Sequence, residues 1–258
     1  MTENSLGDPA NHNHGWSWVG TCAGAYILGK EHPEIQKIQP KGAMYPGSMG
    51  HLFYQKYVLP GGMIVEYKDL KFEILDHEQQ LFIPMKYAPF RMSPIDTLVW
   101  DLNRNGFGII DYKTAKDFKY VKEDAKEANR LQVNLYAYAR KALWYMIIYI
   151  DKISYDHTIC HIYETDPDLA KKAIQVLQKV DYWTAGHREN LVWTDIATGL
   201  NVITKYYKPY RYICEPSQST PYTGCPYKKY CLENLSKQHN QTFTSLVRYD
   251  QYLKNKEN

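Results

Sequence analysis

The stretch Ser93–Lys116, SPIDTLVWDLNRNGFGIIDYKTAK, constrains the rest of the chain. Two short apolar runs, IDTLVW and FGIID, are joined by Asn103-Arg104-Asn105-Gly106. Asn-Gly between β-rich runs is the strongest short-range hairpin signal, so a hairpin is predicted here. Its strands carry an odd load. Asp96 opens the first, and Asp111 and Lys113 leave the second just after Phe107, Ile109 and Ile110. An acid on a strand with a buried face needs a partner. Residues two apart on a strand share a face, which puts Asp111 beside Lys113. Two carboxylates and an ammonium at a sheet edge make a hard-cation site with a positive charge next to it. That is the equipment for metal-assisted phosphodiester hydrolysis.

The flanking elements follow from periodicity. PGSMGHLFYQKYV, from Pro46, reads as a helix with Gly47, His51 and Gln55 on one face. Strand patterning runs from Met63 to Trp100, with His77-Glu78-Gln79 as a turn between KFEILD and QLFIPMKYA. Tyr120–Tyr145 is the longest helical pattern. Leu131, Leu135, Ala139, Ala142 and Leu143 form its apolar stripe, with Gln132 and Tyr136 one turn apart at its margin. MIIYIDKI and HTICHIYETD read as two further strands, and Pro167–Arg188 as an amphipathic helix capped by Asp166. Trp16–Gly29 reads as a helix carrying Cys22.

Mg²⁺ or Mn²⁺ takes oxygen ligands and tolerates an imidazole. Asp96 and Asp111 would supply carboxylates, the backbone carbonyl of Tyr112 another oxygen, and His51 a nitrogen. Lys113 would steady an attacking water and offset charge on the phosphate. The plain alternative is an exposed Asp/Lys pair on an ordinary hairpin. What lifts the first reading is the order of the set: Gly47–His51, then Pro94-Ile95-Asp96, then Ile110-Asp111-Tyr112-Lys113-Thr114, then Gln132–Tyr136.

That ordered set, within residues 45–140, resembles the PD-(D/E)xK nuclease superfamily, in its RecB-like exonuclease branch. The resemblance implies a restriction-endonuclease-like core. By it, His51, Asp96 and Asp111 bind Mg²⁺ or Mn²⁺, Lys113 activates water, and Gln132 and Tyr136 support the site and the DNA. Gln55 departs from the pattern, because family members often carry an acid one turn after the His.

Five cysteines are an odd number for a disulfide framework. Cys225 and Cys231 have five residues between them, Cys214 lies upstream, and Cys22 stands near the N-terminus. One N-terminal and three C-terminal cysteines resemble the iron–sulfur nucleases of the CRISPR-associated and AddB types. A 4Fe–4S cluster on Cys22, Cys214, Cys225 and Cys231 would then pin the C-terminal segment to the N-terminal helix. The pattern departs from the family, since Tyr222 occupies a position of the usual Cys-x-x-Cys. Thiolates suit Fe–S and Zn²⁺ alike, and buried cysteines without metal remain an alternative. Cys160 is read as a core residue, and His157 and His161 as surface strand residues.

A net charge of +3 does not announce a nucleic-acid binder, so any basic surface must be local. Lys116, Lys119, Lys122, Lys126 and Arg130 follow the acid-bearing strand, but acids are interleaved, and most of them read as a solvated face. Lys116 is the exception because it lies three residues from Lys113. With Tyr136 it is the expected DNA contact.

The expected fold is α/β. A mixed, mostly antiparallel central sheet is flanked by helices, with a cysteine-containing C-terminal lobe. Residues 1–15 are expected as a flexible tail, 16–205 as the core, 206–235 as the cysteine lobe and 236–258 as a polar tail. No stretch approaches the ~20 apolar residues of a membrane span, and the N-terminus lacks a secretory pattern. A cytoplasmic chain is expected, in a host cell, a virus or a mobile element. The expected function is a metal-dependent DNA exonuclease in end processing, recombination or repair, working with DNA and a recombination or replication partner protein. Two rivals are an inactive nucleic-acid-binding or assembly protein on the same core, and a structural-zinc module.

Overall fold

The computed structural model describes residues 28, 32, 45–86, 90–91, 94–115, 117–184, 227–244, 248, 251–252 and 255–256. The chain divides into two compact units. One holds Gln39–Pro84 and Pro89–Ile174, the other Met1–Ile38, Met85–Ala88 and Gln175–Asn258. Among the described residues no helix is long and apolar enough to cross a membrane.

The first unit is built on a six-stranded sheet in the order β1-β2-β5-β6-β7-β8. Its strands are β1 (Ile64–Tyr67), β2 (Leu70–Gln79), β5 (Ile95–Asp101), β6 (Gly106–Ala115), β7 (Trp144–Asp151) and β8 (Thr158–Glu164). Two short strands, β3 (Phe82–Ile83) and β4 (Phe90–Arg91), pair separately. Every neighbouring pair of the main sheet is antiparallel except β6 with β7. The sheet is therefore mixed and mostly antiparallel, as expected. A parallel pair needs a crossover, and α2 (Glu127–Arg140) supplies it.

The central hairpin is present, but its turn is longer than Asn-Gly alone. Register runs from Thr97 opposite Ile110 to Asp101 opposite Gly106. Asn105 takes a left-handed φ of 54°. The turn is held by Asp101, which is fully buried. Its Oδ1 accepts from the N–H groups of Asn103 at 2.9 Å and Arg104 at 3.0 Å. Its Oδ2 accepts from Arg104 Nε at 3.0 Å and from the indole of Trp144 on β7 at 2.7 Å.

The sheet is buried on both sides. Phe72, Ile74, Val99, Ile110, Tyr112, Trp144, Met146, Ile148 and Ile150 form one core with Tyr54. Alternation sends Ile109, Asp111 and Lys113 to the opposite side, where α2 packs on β6 and β7. There Asn129 Nδ2 donates to the Tyr149 hydroxyl at 2.8 Å.

Three expectations are corrected. The helical pattern 120–145 breaks at Arg140, because Lys141 turns left-handed at φ 58°. Trp144 and Tyr145 then belong to β7, whose residues 144–150 are all buried. A continuous apolar run between two neighbouring strands is the mark of a buried strand. The supposed turn at His77–Gln79 is the end of β2, which stays paired to β5 past a bulge between Ile74 and Asp76. His161 is no free surface residue, since its Nε2 lies 2.6 Å from the Val121 carbonyl.

The first helix, α1 (Tyr45–Phe53), continues into a π-helical turn over Tyr54–Val58, closed by Leu59 N–H on the Tyr54 carbonyl at 2.8 Å. That wider turn brings both Tyr54 and Gln55 inward, and both are buried. α3 (Pro167–Thr184) starts at a proline behind Asp166, whose Oδ1 accepts from Asp168 and Leu169 N–H at 3.0 Å each. Asp166 is thus the expected cap.

In the second unit α4 (Lys228–His239) buries Leu232 and Leu235 and ends at a left-handed Asn240. His32 stacks on Tyr230 with ring centroids 3.9 Å apart. Cys231 is half-buried on this helix. Cys22, Cys214, Cys225 and Lys116 lie outside the described residues, as do the tail 1–15 and most of the cysteine lobe.

Candidate metal-assisted hydrolysis site

The site forms where two strands part. β5 and β6 pair only as far as Thr97 and Ile110. From Asp111 onward β6 keeps its ladder with β7, while β5 pairs on its other side with β2 to Ile95. One further step of the hairpin ladder would set Asp96 against Asp111. Instead the Asp96 carboxylate takes the place of a backbone acceptor. Its Oδ2 receives the Tyr112 N–H at 2.7 Å.

His51 enters this fork from α1. Its Nδ1 is 3.5 Å from Asp96 Oδ2, and its ring is tilted against Tyr112 at 5.8 Å. α1 comes close because Gly50 has no side chain. A Cβ there would meet the Tyr155 ring at 3.0 Å and Thr114 Cγ2 at 3.5 Å. Lys113 Nζ lies 2.7 Å from Asp111 Oδ2 on the α2 side. Gln132 Nε2 donates to the Tyr136 hydroxyl at 2.7 Å, and the Tyr136 phenol acts electrostatically on Lys113. Tyr136 is buried, so the expectation that it touches DNA is corrected: a 1% exposed phenol cannot meet a substrate directly. His51, Asp96, Asp111 and Lys113 therefore meet at one fork, with Gln132 and Tyr136 backing it.

The charges are mutually dependent. Burial pushes the Asp96 carboxyl well above the ordinary carboxylate range, and the Asp111 charge adds to this. Burial lowers His51, with Asp111 and Lys113 pulling in opposite directions. Burial works against the Lys113 ammonium too, yet Asp111 and Asp96 outweigh it and hold its pKa above the usual lysine value. Lys113 is thus a fixed cation.

Among the described residues no three His, Cys, Asp or Glu side chains gather into a ready-made metal cage. Asp111 and Asp96 are set on either side of the fork, and Lys113 supplies the counter-charge. The donors nevertheless fit a divalent cation. Asp111 Oδ2 is buried, with the Lys113 ammonium at 2.7 Å as its charge partner. Burial, and then the Asp111 charge, disfavour an ionised Asp96 unless a cation offsets it. Two carboxylates and the Tyr112 carbonyl are the kind of oxygen donors that Mg²⁺ or Mn²⁺ takes, and an imidazole beside them is tolerated.

No protein-family profile matches this chain, and no curated protein does. Among solved structures, the crystal structure of SSO0001 superposes with a TM-score of 0.40 and 12% identity, over 72% of this chain and 84% of that one. A likeness this loose carries no argument about fold or function.

Spacing put Gln55 on the His51 face without showing its partners, and it missed Asp101. Gln55 Nε2 donates to Asp96 O at 2.9 Å and to Glu78 Oε1 at 2.8 Å, so the amide ties α1 to the starting end of β5. Asp101 anchors the far end of the hairpin. Two members of the basic run after β6 are ion-paired, Lys119 with Asp117 at 3.3 Å and Arg130 with Asp124 at 2.9 Å.

Proposed function

We propose that this chain is a metal-dependent DNA nuclease, an exonuclease acting at DNA ends in recombination, repair or end processing. The observation that supports it most is the meeting of Asp96, Asp111, Lys113 and His51 at the fork between β5 and β6. Asp96, Asp111, His51 and the Tyr112 carbonyl would hold Mg²⁺ or Mn²⁺. Such a cation, when bound, polarises the scissile phosphate and lowers the pKa of water.

The chain's own residues do the rest. Lys113 donates a hydrogen bond to the attacking water and offsets negative charge on the phosphate. Already protonated, it orients the water and takes no proton from it. Tyr136, hydrogen-bonded by Gln132, adds electrostatically to the Lys113 ammonium from inside the core. Water oxygen bonds to phosphorus and releases a proton to solvent, one P–O ester bond breaks, and the leaving oxygen takes up a proton from solvent. Lys116 would meet the DNA backbone beyond the site.

The cysteines are a separate proposal. Cys22, Cys214, Cys225 and Cys231 would hold a 4Fe–4S cluster, with zinc as the alternative. The stacking of His32 on Tyr230, beside Cys231, supports an N-terminal segment held at the cysteine helix. Visible absorption and metal analysis of the purified protein separate iron–sulfur from zinc. A colourless, metal-free and fully active protein removes the cofactor.

The nuclease reading is tested by incubating the purified protein with end-labelled linear DNA and with closed circular DNA, in Mn²⁺ and in chelator. Mn²⁺-dependent release of nucleotides from the linear substrate alone is expected. DNA left intact under every condition supports the inactive binding protein instead.

A further inference from the structure

Glu78 has no role in the site as built so far, and three observations bring it in. Its Oε1 accepts from Gln55 Nε2, the same amide nitrogen that donates to the Asp96 backbone carbonyl. One amide group thus separates the Glu78 carboxylate from the residue that starts the fork. Glu78 also sits at φ 54°, a left-handed conformation that a residue with a long side chain rarely takes. Such outliers persist where the surroundings fix them, and they gather at functional sites. Finally, Glu78 is exposed while Gln55 is buried, so the carboxylate stands at the open rim and the amide carries its influence inward. Its negative charge falls on Asp96, adding to the push from Asp111.

We propose that Glu78 is a positioning residue of this site, a third carboxylate that acts through Gln55 and raises the demand of the fork for a divalent cation. The inference rests on the nuclease reading above. Gln55 contributes no charge of its own. The bridge allows a carboxylate from β2, on a different element, to act beside Asp96. Glu78 need not touch the cation. It holds the entrance of β5 against α1 and adds a third negative charge beside Asp96 and Asp111, against the single positive charge of Lys113.

Three variants separate charge from geometry. Glu78→Gln keeps an oxygen for the Gln55 amide and removes the charge. Glu78→Asp keeps the charge and shortens the reach. Asp111→Ala removes a first-choice cation ligand. Mn²⁺ binding to each full-length protein is followed by the electron paramagnetic resonance signal of free Mn²⁺, with thermal melting to check folding. We expect Glu78→Gln to bind Mn²⁺ about threefold to tenfold more weakly, with its melting unchanged, and Glu78→Asp to recover most of that loss. This is the low end of what residues behind metal ligands contribute, because Glu78 is exposed and screened. Wild-type affinity in Glu78→Gln, or equal losses in the Gln and Asp variants, overturns the inference and leaves the nuclease reading standing. Wild-type protein that binds no Mn²⁺, or binds it as well after Asp111→Ala, overturns the nuclease reading itself, and this inference with it.

Discussion

Asp96 Oδ2 accepts the backbone N–H of Tyr112 at 2.7 Å and lies 3.5 Å from His51 Nδ1. One carboxylate oxygen thus replaces a rung of the sheet and faces the helix that brings the imidazole. The site exists because the ladder between β5 and β6 stops there.

Asp96 therefore has two separable duties. Asp96→Asn keeps an oxygen for the Tyr112 N–H and loses the charge. It should fold normally while DNA hydrolysis falls roughly 100-fold or more, the scale of losing several kcal/mol of charge stabilisation. Asp96→Ala also leaves a buried N–H without a partner, which costs about 1–3 kcal/mol. Initial rates and urea unfolding on both variants read the two effects apart.

On the proposed metal-dependent reading, a cation would compete with Lys113 for Asp111, whose Oδ2 has the ammonium at 2.7 Å. Lys113→Met should cut hydrolysis roughly 100-fold to 1000-fold, as the loss of one preorganised donor does. It should bind Mn²⁺ no more weakly than wild type. Paired rate and Mn²⁺-binding measurements check this. A loss of both would make Lys113 a structural residue.

Gly50 lets α1 sit against Tyr155 and Thr114. Gly50→Val should lift α1 and draw His51 from Asp96. Stability should fall by about 1–3 kcal/mol, the usual penalty for overpacking. Hydrolysis should fall further than folding explains, measured at a temperature where the variant remains folded.

How much of this was legible in the sequence depends on the range of the interaction. Alternation and Asn-Gly announced the hairpin, and the i, i+4 pair Gln132/Tyr136 emerged as a hydrogen bond because both residues lie on one helix. The bulge near Leu75 and the continuation of β2 through His77–Gln79 were hidden. They depend on pairing with β5 across 20 residues or so of chain, which no local pattern encodes. Glu78 was missed for the same reason, because its partner Gln55 sits on another element. The helix break at Arg140 was obscured by a Leu/Ala stripe that continued past it. There, burial between β6 and β8 outweighed helix propensity.

Asp101 gives the fold a pH dependence away from the site. Burial raises its pKa, but the hydrogen bonds from Arg104, Trp144 and Asn103 outweigh that and leave it below the ordinary value. A carboxyl with a depressed folded pKa stabilises the protein above its unfolded pKa of about 3.9, and that stability is lost as pH falls through the folded value. Asp101→Asn should lower stability by about 2 kcal/mol at pH 7. The gap from wild type should close as the pH drops below the ordinary carboxylate range. Urea unfolding from pH 7 down to the acid transition follows it.

If the fork between β5 and β6 hydrolyses DNA with a divalent cation, Asp111→Asn, which keeps the side chain's size and removes its charge, abolishes that hydrolysis. The rate of Mn²⁺-dependent degradation of end-labelled linear DNA by the folded variant is compared with wild type. Rapid degradation by wild type and none detectable by Asp111→Asn is the predicted result. Equal rates, or intact DNA with both proteins, contradict it.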